Sequence, residues 1–148
     1  IAWCVWHIAR IEDVAMNILV ADGEQVFKNH GWEERFGAPR HDTGNAMDLK
    51  AVAKLNQAID LQPLRAYRQE VGKRTRQIVS SLSGEDLRQK VDPARLQRVW
   101  DEGGLHEAAQ GIADYWAGRD IAGLLLMPAS RHCLTHLNEA FTLKRRRS

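Results

Sequence analysis

The sequence predicts an all-α protein. Three observations carry this: apolar residues recur at alternating steps of three and four, helix-start signals stand ahead of apolar runs, and no useful length of chain alternates apolar and polar residues as a half-buried strand does. A chain of 148 residues fits one domain, residues 1–148, around one substantial core. With 44% apolar and 27% charged residues it has the composition of an ordinary soluble globular protein. Its formal net charge of +2 implies no global attraction to nucleic acid or membrane.

The first element runs from Trp3 to Val20, where Cys4, His7, Ile11, Val14 and Ile18 trace the seam of a bundle helix. Glu12, Asp13 and Asn17 lie off that seam and read as surface residues. Asp22 and Gly23 signal a break, although "EQVF" can carry helix a little further. Three glycines and a proline among charges make residues 29–46 a loop, with a short helical piece around Trp32 to Phe36. Helix resumes in "MDLKAVAKLNQAI", with Leu49, Val52 and Leu55 at helical spacing.

Asp60 is placed to cap the next long helix, and Pro63 is tolerated in its first turn. Along it Leu64, Tyr67, Val71, Thr75, Ile78 and Leu82 form a second seam. Ser83 with Asp86 resembles an acidic capping box, and Asp92-Pro93 is an N-cap and N1 pair that opens a short helix to Trp100. After "EGG", helical patterning returns from Glu107 to Trp116, with a break at Gly118. The last segment, Asp120 to about Arg145, contains Pro128, which either kinks it or starts its second half. Three long amphipathic helices with shorter ones between them predict an antiparallel bundle. A four-helix bundle wants one more long helix, expected upstream of Ile1 or replaced by a partner subunit.

The longest apolar run, "AGLLLMPA", is too short to cross a bilayer. Cys4 and Cys133 have no zinc or redox spacing, fall in apolar helical patterns and read as reduced core thiols, which favours a cytoplasmic location. The basic tail from Lys144 to Arg147 reads as a solvated helix end.

Six histidines are present, and "RHCLTHLNEA" sets His132 and His136 four apart. In a chain of this composition such a pair arises by chance about a quarter of the time, so its setting matters more than its spacing. On a helix the two rings share one face and can converge on one ion. Ala129, Cys133, Leu137 and Ala140 around them are small or apolar, as near a buried seam. His7 holds a seam position of its own, so packing of the first and last helices brings a third imidazole to the same point. The other reading is that each is a core or boundary histidine satisfied by ordinary hydrogen bonds. Three such rings without a metal would need partners for every buried nitrogen.

"WCVWHIARIED", "APRHDTGNAM" and "WAGRDIAGLLLMPASRHCLTHLNEA" resemble the DinB/YfiT-like superfamily of bacterial helical-bundle proteins, over nearly the whole chain. The resemblance implies an up-down four-helix bundle, often a homodimer, whose first long helix this chain lacks. It implies a metal triad on His7, His132 and His136, filled by zinc, nickel or iron. Thiol-dependent transferases and isomerases belong to that family, which implies a small-molecule substrate and a low-molecular-weight thiol as co-substrate. Many members have no known activity.

Three histidines leave a coordination position open, as a catalytic site requires. A metal there activates water or a thiol. Glu139 either approaches the centre behind His136 or faces solvent, and solvent is favoured. His41 reads as a plain loop residue rather than a ligand. Thr43-Gly44-Asn45 reads as a turn into a helix N-terminus, with capping explaining it better than a bound anion. Trp3, Trp6, Trp100 and Trp116 read as packing residues, and Trp32 as the tryptophan best placed to line a pocket mouth. Two functions follow: a metal-dependent enzyme of thiol-transferase or hydrolase type, or a non-catalytic helical module that binds a metal, small ligand or protein.

Overall fold

The computed structural model describes residues 1–29, 31–37 and 40–146, apart from the Glu33 side chain. Pro39 of the predicted loop and Arg147 of the basic tail lie outside the described residues. Helices account for the regular structure: α1 (Ala2–Asp13), α2 (Trp32–Arg35), α3 (Leu49–Ala58), α4 (Leu61–Ser81), α5 (Pro93–Asp101), α6 (Gln110–Ala117), α7 (Ile121–Leu126) and α8 (His132–Arg145), with short 3-10 turns between some of them. Among the described residues there is no strand, and one isolated antiparallel bridge joins Lys90 to Asp120. No described helix is long and apolar enough to cross a membrane.

The helix starts lie where local chemistry puts them. Asp60 accepts from the Gln62 amide, Asp92 from the Ala94 amide with Pro93 at N1, and Asp120 from the Gly123 amide. Each such cap contributes about 1 kcal/mol. Ser83 and Asp86 bond reciprocally, side chain to backbone amide in both directions, as a capping box does.

The first helix departs from the one-sided seam. Every residue from Trp6 to Val20 is buried, including Arg10, Glu12, Asp13 and Asn17. Glu12, Asp13 and Asn17 are therefore interior residues, not surface ones. The cause is position: α1 packs against α3, α4 and α8, and its continuation, a π-helical segment at Val14–Val20, packs against α5 and α7. A helix enclosed on all sides has no solvated face for its charges.

Those charges are satisfied internally. Asp13 accepts from the Val26 and Phe27 amides, from Asn17 Nδ2 and from the Tyr67 hydroxyl, and forms an ion pair with Arg10 at 3.3 Å. Arg10 also donates to Gln25 Oε1 and to the His41 carbonyl, and stacks over Phe27. Glu12 pairs with Arg68 at 2.8 Å and accepts from Thr75, which ties α1 to α4.

Apolar packing falls into two clusters. One gathers Val14, Ile18, Leu19, Val99, Trp116 and Leu124; the other gathers Trp6, Phe27, Trp32, Phe36, Leu55, Leu64 and Tyr67. The α4 seam is buried from Leu64 to Ile78, as its spacing predicts. In α3 only Leu55 is buried, while Leu49 is 88% exposed, because that helix touches the body through one short stripe.

Candidate metal centre

The late histidines owe their orientation to an irregular turn. Pro128 has no amide hydrogen, so the ladder cannot continue through it, and Met127–Arg131 adopts a π-helical turn. Ser130 Oγ of that turn donates back to the Leu126 carbonyl of α7 at 2.7 Å. Pro128, expected either to kink the last segment or to start its second half, instead lies in a π-helical turn that joins α7 to α8. The turn shifts the phase of α8, placing His132, Cys133 and His136 toward α1 and leaving Leu134 and Phe141 exposed. Leu137, expected beside a buried seam, is 40% exposed.

His7 on α1 meets this pair. Ligand-capable atoms of His7, His132 and His136 all lie within 4.8 Å of one another. Their ring centroids are separated by 4.6 to 4.9 Å. His7 Nε2 and His132 Nε2 are 3.1 Å apart. Two nitrogens bound to one ion at ~2.0–2.1 Å and a tetrahedral angle lie about 3.3 Å apart, so the spacing suits a shared cation.

Hydrogen bonds behind the rings fix their tautomers. His7 Nδ1–H donates to the Thr43 carbonyl at 2.5 Å, and His136 Nδ1–H donates to the Glu139 carboxylate at 2.8 Å. In the neutral ring such a bond uses the single proton and leaves Nε2 with a bare lone pair. This is the arrangement that raises ligand basicity and orients imidazoles on metals. His132 Nδ1 is buried without a partner. A cation between the Nε2 atoms would give the His7 and His136 lone pairs a common acceptor, joined by His132 in the tautomer that carries its proton on Nδ1.

Burial keeps the His7 and His132 rings neutral. Burial pushes His7 down to about 3, with His132 and His136 adding to the effect against the opposing Thr43 hydrogen bond. Burial, then the neighbouring His136, lowers His132 to about 4. Neutral imidazole is the ligating form, so neither ring has to lose a proton to bind an ion near neutral pH. Cys133, next in sequence, is no candidate nucleophile: burial and then Glu12 raise its thiol to about 11.

The loop that carries Thr43 is built for this contact. Gly44 has φ +77°, and a Cβ there would sit 2.6 Å from Trp6 Cζ3. The Thr43 amide donates to the Gly104 carbonyl, and Asp42 accepts from the Gly44 amide. The turn thus supports His7, while α3 is capped separately by Asp48. His41 is exposed and lies outside the histidine cluster; its carbonyl serves Arg10.

A pocket of about 500 Å³ opens beside the three rings. Trp3 and Ile11 of α1, Ile112, Tyr115 and Trp116 of α6, and Met127 line it. Trp32, expected at a pocket mouth, is instead buried against Tyr67 in the core. Trp3 takes that place, stacked on His7 with centroids 4.6 Å apart and planes 8° from parallel. Glu139, expected to face solvent, is 50% exposed and still bonds His136. Sequence reasoning missed Trp3 and the Thr43 carbonyl. Trp3 lies four residues before His7, a spacing that could have flagged it; a backbone carbonyl leaves no residue-type signal.

No curated protein matches the chain. The model of the DinB superfamily matches residues 1–117, a span that includes His7 and ends before His132 and His136. That match covers most of the chain, and with the all-α fold it places the protein: the chain belongs to the DinB superfamily.

Proposed function

We propose that His7, His132 and His136 hold a divalent metal ion (zinc, nickel or iron) and that the protein is a metal-dependent enzyme of thiol-transferase or hydrolase type. The observation that carries this reading is the convergence of three imidazoles, two of them backed by hydrogen-bond acceptors, beside an open pocket. When bound, the ion supplies Lewis-acid activation of a thiol or a water molecule. Thr43 and Glu139 hold His7 and His136 in the tautomer that presents Nε2. Trp3 covers one face of His7 and limits solvent there. The two free buried thiols support a cytoplasmic location.

Elemental analysis of protein purified without added metal is the direct test. About one equivalent of a divalent metal is expected, lost on His7→Ala together with His132→Ala. Turnover of a panel of thiol adducts and esters, abolished by the same changes, separates an enzyme from a binding module. Protein that carries no metal, with melting indifferent to chelator and to added zinc, refutes the proposal.

A further inference from the structure

The pocket beside the histidines has an unusual lining for a site that handles polar metabolites. Among the described residues that line it there is no Asp, Glu, Lys or Arg. Trp3, Ile11, Ile112, Tyr115, Trp116 and Met127 supply most of its wall. Apart from the three imidazoles, the polar groups at the wall are neutral: the Tyr115 hydroxyl, the indole N–H groups of Trp3 and Trp116, and the Asn45 amide. Asn45 Oδ1 already accepts from the Thr43 hydroxyl at 2.6 Å, which leaves its amide nitrogen to donate.

From this we infer that the pocket takes a flat, aromatic small molecule that carries one metal-binding donor and no charged group away from that donor. The inference rests on the metal-centre reading for the donor, and on the wall alone for the aromatic body. A carboxylate, phosphate or ammonium held against this wall, out of reach of the metal, would lose its hydration with no counter-charge to replace it. An aromatic ring would gain burial against Trp3, Ile112, Tyr115 and Met127. The volume of about 500 Å³ admits a molecule of one or two fused rings. Thiols whose bulk is a charged peptide or an acidic sugar are a poor fit to that space.

Three hydroxamates sharing one donor group test this on the zinc-loaded protein by calorimetry: acetohydroxamate, benzohydroxamate and 4-carboxybenzohydroxamate. Benzohydroxamate is expected to bind about tenfold or more tighter than acetohydroxamate through ring burial. The added carboxylate is expected to cancel that gain, about tenfold or more, through desolvation. Nuclear Overhauser contacts from the ring to the Ile112 and Met127 methyl groups are expected in the benzohydroxamate complex. A preference for benzohydroxamate under about fivefold, a carboxylate without cost, or no contact to those methyls overturns the inference. A parallel titration of chelated protein with benzyl alcohol, read by the same methyl contacts, separates the two proposals. Benzyl alcohol seated in protein that binds no zinc leaves the aromatic pocket standing and removes the metal. Zinc bound without aromatic preference does the reverse.

Discussion

His7 Nε2 and His132 Nε2 lie 3.1 Å apart, although 125 residues separate them along the chain. The contact joins the first helix to the last, and the hydrogen bonds that orient the rings come from two further places. Thr43 approaches from the loop before α3, and Glu139 from the next turn of α8.

Glu139→Gln removes the carboxylate behind His136. Zinc affinity, measured by competition with a chromophoric chelator, is expected to fall about 10–100-fold. Because Glu139 is half exposed, the metal-free variant should unfold within about 0.5 kcal/mol of the parent. Equal zinc affinities would show that the carboxylate has no role at the centre.

Gly44→Ala sets a Cβ against Trp6 in a left-handed backbone conformation, φ +77°. Urea unfolding is expected to show a loss of about 1–3 kcal/mol. Zinc affinity should fall as well, since the strain reaches the adjoining Thr43 carbonyl. Gly84→Ala, where a Cβ meets nothing within 4 Å, is the control and should stay within about 0.5 kcal/mol. Similar stabilities for the two variants would contradict the account of the turn.

Asp13→Asn leaves the buried Arg10 guanidinium without its ion-pair partner while keeping the shape of the side chain. A destabilisation of about 3–5 kcal/mol is expected in urea. A near-neutral result would mean that the His41 carbonyl, the Tyr67 hydroxyl and Gln25 are enough to hold Arg10.

Acid should weaken the metal-free protein before it protonates its centre. The His7 ring titrates at about 3 and His132 at about 4 in the fold, against an ordinary 6.5. Between those limits the unfolded chain takes up protons that the native rings refuse. Stability contributed by these rings is complete above about pH 6.5 and declines as pH falls toward 3–4. For His7 the slope is about 1.4 kcal/mol per pH unit. Melting of chelated protein between pH 7 and pH 4 measures it, and His7→Gln should flatten the profile. An unchanged slope in that variant would remove His7 from the explanation.

Thiol chemistry gives an independent check on the interior. With both cysteines buried and the Cys133 thiol raised to about 11, the native protein should react negligibly with an aromatic disulfide reagent at pH 8. Denaturation should expose both of its 2 cysteines. Rapid labelling of the native state would place Cys133 outside the Glu12–Arg68 contact that encloses it.

The sequence by itself determined the helices. Asp60, Asp92 and the Ser83–Asp86 pair act through neighbours within three residues, so their effects are written locally. The α4 seam was legible for the same reason: one face is buried and period 3.6 reports it. The His132–His136 pair and the seam position of His7 were legible too, because residues four apart share a helix face. Tertiary structure decided the rest. Glu12 and Asp13 look like surface charges until α4, α8 and the 26–27 backbone close over them, a fact about neighbours rather than spacing. Trp3 and Trp32 are equivalent as residue types, and only the packing sends one onto His7 and the other into the core. Periodicity records which side of a helix is apolar; it holds no information on which distant groups meet there, and that meeting makes the candidate site.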